Sequence, residues 1–322
     1  INTEPIYEAS VFISPLMYNK DTLGIFSGIT NYNNSIRKLG VDVSLQTYEQ
    51  KHLVDVGGYI NFGDKKISNL YVRMNDNPVK IFEPFMEGEV TGLEGTCSAN
   101  ITVNGRTEDP DIKGSIGLQD VALTVDYLKT RYHFTHVFNV NGRILNLAGL
   151  KVYDEKNHAA LVSRGSYLDV SNFNRVYLRN VELVATTPFM VMNTRQQDNE
   201  LYFGQGFATG KIRFTGPIDN VNMNLNLNTE AGTQMSLPIG SSSEYYGNDF
   251  IHFVNKKLKE NIVKDASHST NFTMNLNLNV NENAFLQIIF DPTVGDIISG
   301  TGDGNIQMKI NDEGDFTMYG AY

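Results

Sequence analysis

VNMNLNLN, residues 221–228, sets an apolar side chain against asparagine at every step, and MNLNLNVN, residues 274–281, repeats the arrangement. Successive side chains of a strand leave on opposite faces. Val221, Met223, Leu225 and Leu227 therefore share one face, and Asn222, Asn224, Asn226 and Asn228 share the other. At about 25 cal/mol per Å² of apolar surface, four such residues forfeit several kcal/mol if their face stays wet. That face must leave water. It can do so under a second sheet, as in a β-sandwich, or inside an elongated sheet curled into a trough, covered by its own opposite side or by lipid chains. The alternation by itself leaves both solutions open.

The same texture runs through the chain. YINF (59–62), ANITVNG (99–105), SIGLQDVALTVDY (115–127), KIRFTG (211–216) and NIQMKI (305–310) alternate, with EDPD (108–111) and NDEGD (311–315) as turn sequences. The expected class is all-β. Three stretches read differently. TLGIFSGITNYNNSIRKLG (22–40) fits a helix or an irregular connection, and NPVKIFEPFMEGEV (77–90) holds one helical turn between Pro78 and Pro84. In 243–265, Ile251, Val254, Leu258 and Ile262 fall at helical spacing behind a capping Asn248 or Asp249, with Lys256, Lys257, Lys259 and Lys264 elsewhere on the surface. This spacing predicts a helix over 248–264. A weak repeat links 95–118 with 204–227 and, in shortened form, 300–320: small residues, a strand ending in glycine, a turn and another strand. It suggests a sheet that grows by accretion.

The 322 residues carry 26 lysines and arginines against 36 acidic residues, a net charge of −10, which disfavours a phosphate backbone as partner. The 36 asparagines are a strong excess for a residue that strands normally avoid, so they belong on wet faces or in ladders. Cys97 is the single cysteine, so no internal disulfide forms. No stretch approaches the roughly 20 apolar residues of a transmembrane helix. The first and last residues read like running strands, so the expectation is a piece of a longer protein.

Sites of chemistry are not evident. HFTH (133–136) places His133 and His136 on opposite faces of a strand, and His52, His158, His252 and His268 stand alone, so no metal ligand set is expected. GQGFATG (204–210) and GTGDG (300–304) lead into strands rather than into a helix N-terminus. Their glycines are therefore read as bends or close approaches, not as a phosphate cradle. Glu108 and Asp109 lie in a turn, and no nucleophile motif occurs. The expectation is a protein that is not an enzyme, with no catalytic residue, metal or cofactor.

LYFGQGFATGKIRFTGPIDNVNMNLNLNTEAGTQMSLPIG (201–240) resembles the signature of the TamB family, the translocation and assembly module proteins related to AsmA. The likeness lies in the small-residue run, Gly216-Pro217, the alternating strand, Thr229, Gly232-Thr233 and Ser236-Leu237-Pro238-Ile239. Residues 82–123 resemble the family's upstream module, and YLKTRYHF, RGSYLDV and FLQIIFDPTVGDIISGTGDGNIQMKI extend the likeness. The asparagine-rich strands are similar to versions from the Bacteroidota. The resemblance covers about residue 78 onward and implies domains at 1–77, an N-terminal β segment, and 78–322, a TamB-like C-terminal trough. The implied fold is an elongated, curled antiparallel or mixed sheet, a β-taco-like trough with a hydrophobic groove and one helical insertion.

The resemblance also implies a Gram-negative envelope protein that crosses the periplasm from an inner-membrane anchor outside this sequence to an outer-membrane barrel of the TamA/BamA type. Phospholipid is the implied cargo and no cofactor is implied. On this reading the acyl chains lie on Ile212, Phe214, Val221, Met223, Leu225, Leu227, Phe272, Met274, Leu276, Leu278, Ile306, Met308, Ile310, Phe316 and Met318, while Tyr319 and Tyr322 mark a barrel-docking edge. A closed protein core of the same residues is the plain alternative. Two other functions compete: a chaperone-like docking module for outer-membrane protein assembly, acting by strand addition at that edge, and an extracellular adhesin or carbohydrate-binding β protein.

Overall fold

A computed structural model describes residues 6–18, 20–63, 66–86, 88–172, 175–198, 202–238, 253–254, 271–291, 296–311 and 316–321. The chain is all-β, and its strands form a mixed sheet. It divides into two compact units, residues 1–85 with 93–121 and 135–146, and residues 86–92 with 122–134 and 147–322.

The strands of the first part are β1 (Ile6–Tyr18), β2 (Asp21–Asn33), β3 (Lys38–Gln46), β4 (His52–Asn61), β5 (Ile67–Pro78), β6 (Val90–Arg106), β7 (Asp109–Val125), β8 (Thr130–Asn141) and β9 (Ile144–Asn146). β1 to β6 pair in sequence as an antiparallel meander. Register lines Val11, Gly28, Val43, Val56, Val72 and Ile101 into one row on one face, and Ser27, Ser44, Asp55, Arg73 and Asn100 into a polar row on the other, with the exposed Phe12 at its β1 end. Val43, Val56, Val72 and Ile101 are only half-buried, and Val11 is exposed. The row is apolar without being a closed core.

Residues 22–40 are not a helix. They form β2, a turn and the start of β3. Two glycines hide the alternation in the sequence. Gly24 sits at φ +134°, where an added Cβ would come within 2.3 Å of the Gln46 carbonyl, and Gly28 occupies a place on the apolar face. The single turn expected between Pro78 and Pro84 is a 3-10 helix, Val79–Met86.

The later strands are β10 (Lys151–Asp154), β11 (Ala159–Val162), β12 (Tyr167–Asn172), β13 (Arg175–Thr194), β14 (Phe203–Pro217), β15 (Asn220–Thr229), β16 (Gln234–Pro238), β17 (Phe253–Val254), β18 (Asn271–Val280), β19 (Phe285–Asp291), β20 (Asp296–Thr301), β21 (Gly304–Asn311) and β22 (Phe316–Ala321). The helix expected over 248–264 lies outside the described residues except at Phe253 and Val254. Those two residues are a short strand, not helix, and pair with Met318 and Thr317. β14 pairs antiparallel with β13, β15 and β16, and β21 pairs antiparallel with β18 and β22. β15 and β18 are parallel, as are β16 and β19. A parallel pair needs a long return connection, and here the chain between Thr229 and Asn271 supplies it.

Candidate functional site

The two quoted sequences stand side by side. Met223 faces Met274, Leu225 faces Leu276 and Leu227 faces Leu278 across parallel strands, and Asn224, Asn226 and Asn228 face Asn275, Asn277 and Asn279, while Asn222 faces Thr273. Neighbouring ladders extend the match into three apolar rows over β14, β15, β18, β21 and β22. They run Gly210, Leu227, Leu278, Ile306, Gly320; Ile212, Leu225, Leu276, Met308, Met318; and Phe214, Met223, Met274, Ile310, Phe316. The glycine at the head of the first row has a mechanical reason. Gly210 holds φ +134°, and a Cβ there would lie 2.2 Å from the Asn226 carbonyl. This agrees with the reading of the glycine run as a place of close approach.

The opposite face is a hydrogen-bonded amide ladder. Asn275 donates to Asn224 at 3.4 Å, Asn277 to Asn226 at 3.0 Å, Asn279 to Asn228 at 2.9 Å and Asn305 to Asn279 at 2.8 Å. All but Asn275 are exposed. Water and partner amides together satisfy these groups, so this wall needs no covering layer. At its β13 side Arg213 donates to Glu182 at 2.7 Å, a bond that holds the Glu182 carboxyl below its ordinary range.

Bends interrupt the long strands at matching places, residues 230–233 between β15 and β16 and residues 281–284 between β18 and β19. Polar side chains make them. The Thr233 hydroxyl accepts from the Phe207 N–H at 3.1 Å and lies 2.9 Å from the Phe207 carbonyl and 2.7 Å from that of Glu230. The Thr229 hydroxyl accepts from the Asn281 N–H at 3.0 Å, and the Asn281 amide donates to the Thr229 carbonyl at 2.7 Å. Thr229 and Thr233 are 2 % exposed, so each bond replaces lost water for a buried backbone group.

The bends fold the strands over. By register Phe272 lies opposite Val221, while Tyr202 directly precedes Phe203, which lies opposite Ser236. At about 3.3 Å per residue a straight strand would separate positions 221 and 236 by roughly 50 Å. Yet the ring of Tyr127 stands 5.6 Å from that of Phe272 and 6.5 Å from that of Tyr202. One arm, β15 with β18 and β21, therefore faces the other, β16 with β19, across an apolar interior.

Burial follows this geometry. Beside the bends Leu227, Leu278, Val280, Ala284, Leu237 and Leu286 form a buried cluster with Met274, Ile306, Met308 and Ile310. Ile212, Met223, Leu225, Phe272, Leu276 and Met318 pack against that cluster and remain half-buried. Twelve of the fifteen expected lining residues thus meet in one cluster. Phe214 and Val221 are half-buried on the same face outside it. Phe316 holds its backbone place opposite Ile310. At the proposed docking edge Tyr319 is exposed, and Tyr322 lies outside the described residues.

Sequence reasoning did not name the second arm. Met235, Leu237 and Leu286 are its contribution to the cluster, and Met192, Tyr202 and Ala284 complete the packing from β13, the residue before β14 and the 281–284 bend. MSLPI in the quoted signature was a signal for part of it, but nothing local marks the chain as turning back. His133 stacks on Tyr153 and His136 packs on Phe138, so the two imidazoles have different neighbours. Among the described residues no group of three or more His, Cys, Asp or Glu side chains is placed to hold a metal ion, and no helix is long and apolar enough to cross a membrane.

Compared with known proteins, residues 179–322 match the family described as TamB C-terminal domain. No curated protein and no solved structure matches the chain.

Proposed function

Residues 179–322 belong to the TamB C-terminal domain family, an envelope family of Gram-negative bacteria that works with TamA-type outer-membrane proteins in lipid transport or outer-membrane protein assembly, and from that premise we propose that this chain carries phospholipid acyl chains on its apolar strand faces. The observation that supports the reading is the half-buried rim above a buried floor. Met223, Leu225, Phe272 and Leu276 keep apolar surface accessible next to a packed cluster that holds the arms together. Hydrocarbon laid on the rim removes that surface from water without asking the floor to open. The half-buried row Val43, Val56, Val72, Ile101 of the first unit offers a surface of the same chemistry. Phospholipid is cargo on this reading, and the chain performs no catalysis.

The test is lipid capture. The purified chain is incubated with phospholipid vesicles bearing a photoreactive acyl chain, separated from them and irradiated. Cross-links are expected on the 221–225 and 272–276 segments, and Leu225→Glu is expected to stay folded and lose them. A wild-type chain that leaves the vesicles without lipid removes the proposal.

The terminal strand β22 supports a second role, docking to the outer-membrane barrel. β17 already pairs with Thr317 and Met318 of this strand, so the docking contact is assigned to the exposed Tyr319 beyond them. Loss of barrel binding with unchanged lipid capture in Tyr319→Ala, a position outside the buried cluster, is the expected signature of this role.

A further inference from the structure

Tyr127 is carried by the turn 126–129 between β7 and β8, and its ring touches both arms of the trough in the second unit. It stands 5.6 Å from Phe272 of one arm and 6.5 Å from Tyr202, which directly precedes the β14 residues paired with β16 of the other, edge-on to both rings. Its hydroxyl is hydrogen-bonded to that of Tyr202. The turn itself is held from three sides. The Asp126 N–H donates to the Glu89 carbonyl at 3.0 Å, the Thr91 hydroxyl donates to the Asp126 carboxylate at 3.0 Å, and the Asn193 N–H donates to the Leu128 carbonyl at 2.8 Å. The backbone is thus fixed and the side chain is the movable part.

The two tyrosines differ in freedom. Tyr202 is buried in the apolar cluster at 6 % exposure, whereas Tyr127 is 39 % exposed. Rotation of the Tyr127 side chain breaks one hydroxyl pair and two ring contacts and carries the ring toward water. Swinging Tyr202 out would instead open a packed cluster. Phe272, under the Tyr127 ring, faces Val221 at the end of the apolar strand faces farthest from the bends. Six residues at about 3.3 Å each separate Val221 from Leu227, so the face between ring and bend is roughly 20 Å long.

We propose that Tyr127 is the residue that sets acyl-chain access to this trough: its ring bridges the two arms at the mouth and leaves when the bond to Tyr202 breaks. The proposal rests on the lipid-carrying reading above. With the ring in place an acyl chain meets an aromatic strut between Phe272 and Tyr202. With the ring out, the strip from Phe272 and Val221 to Leu225 is continuous.

Two measurements on the full chain separate this idea from the reading beneath it. In a Cys97→Ser background, Val221→Cys reports access to the mouth by its rate of labelling with N-ethylmaleimide. Uptake is followed with vesicles of phosphatidylethanolamine and phosphatidylglycerol containing a pyrene-labelled phospholipid. Tyr127→Ala is expected to raise both rates about tenfold or more. Tyr127→Phe keeps the ring and removes only the hydroxyl pair, with an expected rise of about 2- to 10-fold, and it serves if the alanine variant fails to fold. Unchanged labelling and uptake rates in both variants, with lipid still taken up, overturn the access role and leave the carrier reading standing. Faster labelling with no lipid uptake by any variant overturns the carrier reading, and the lipid role of Tyr127 with it.

Discussion

Asn279 donates its side-chain amide to Asn228 at 2.9 Å across two parallel strands and accepts from Asn305 at 2.8 Å on its other side. Such a rung forms only when like residues face each other in register, so it reports the pairing of β15 with β18 directly. Because the rung is exposed, its net worth is small. Asn279→Ala is expected to cost about 1 kcal/mol in urea unfolding, while Asn224→Ser, at the long 3.4 Å end of the ladder, is nearly silent. Equal costs at the two positions would mean that the ladder contributes nothing specific.

Leu278 and Leu225 share a face and differ in depth. Leu278 is 5 % exposed within the cluster, and Leu225 packs against it half-buried. Leu278→Ala is expected to lose about 2–4 kcal/mol of stability, and Leu225→Ala about half of that. Chemical denaturation of both variants checks the order, and a reversal would place the packed region at the rim instead of at the bends.

Thr233 makes the bend between β15 and β16. Thr233→Val keeps the shape and removes a hydroxyl that serves the Phe207 N–H, leaving a buried donor unpaired at a cost of about 1–3 kcal/mol. Hydrogen exchange at Phe207 gives a local reading: faster exchange is expected, and unchanged protection there would show that the hydroxyl does not hold the bend.

Glu182 is stabilised in its charged form chiefly by the Arg213 hydrogen bond, then by the Ser163 hydroxyl and the charges of Lys211 and Arg213. A carboxyl whose folded pKa is lowered adds stability above its unfolded value, ordinarily about 4.5, and loses it as pH falls through the folded value. Arg213→Gln should therefore be less stable than wild type at pH 7, with the gap narrowing below about pH 4.5. Unfolding midpoints at pH 7 and at pH 3 test this sign. A gap that widens in acid contradicts it.

Much of the β architecture was legible because its cause is local. Alternation assigns each residue of 221–228 and 274–281 to a face whatever the partner, and the cost of wetting Leu225 or Leu276 requires that face to be covered. Where the local signal is broken, the reading fails. In 22–40 Gly24 and Gly28 stand where side chains would have shown the period, so a strand reads as a helix or an irregular connection. The amphipathic pattern over 248–264 likewise mispredicts Phe253 and Val254, whose backbone pairs with β22. Helical spacing describes side chains only, whereas a ladder partner more than 60 residues away supplies hydrogen bonds that no local window contains.

The amino-acid order by itself determined which side chains are oily and which are wet on each strand, because a two-residue period is a property of the extended backbone alone. The tertiary structure decided which strand lies beside which, that β15 and β18 run parallel, and that Phe272 and Tyr202 end up on either side of Tyr127. Those outcomes depend on bends at Thr229 and Thr233 whose partners, Asn281 and Phe207, are distant in the chain, and a contact between distant residues leaves no periodic trace.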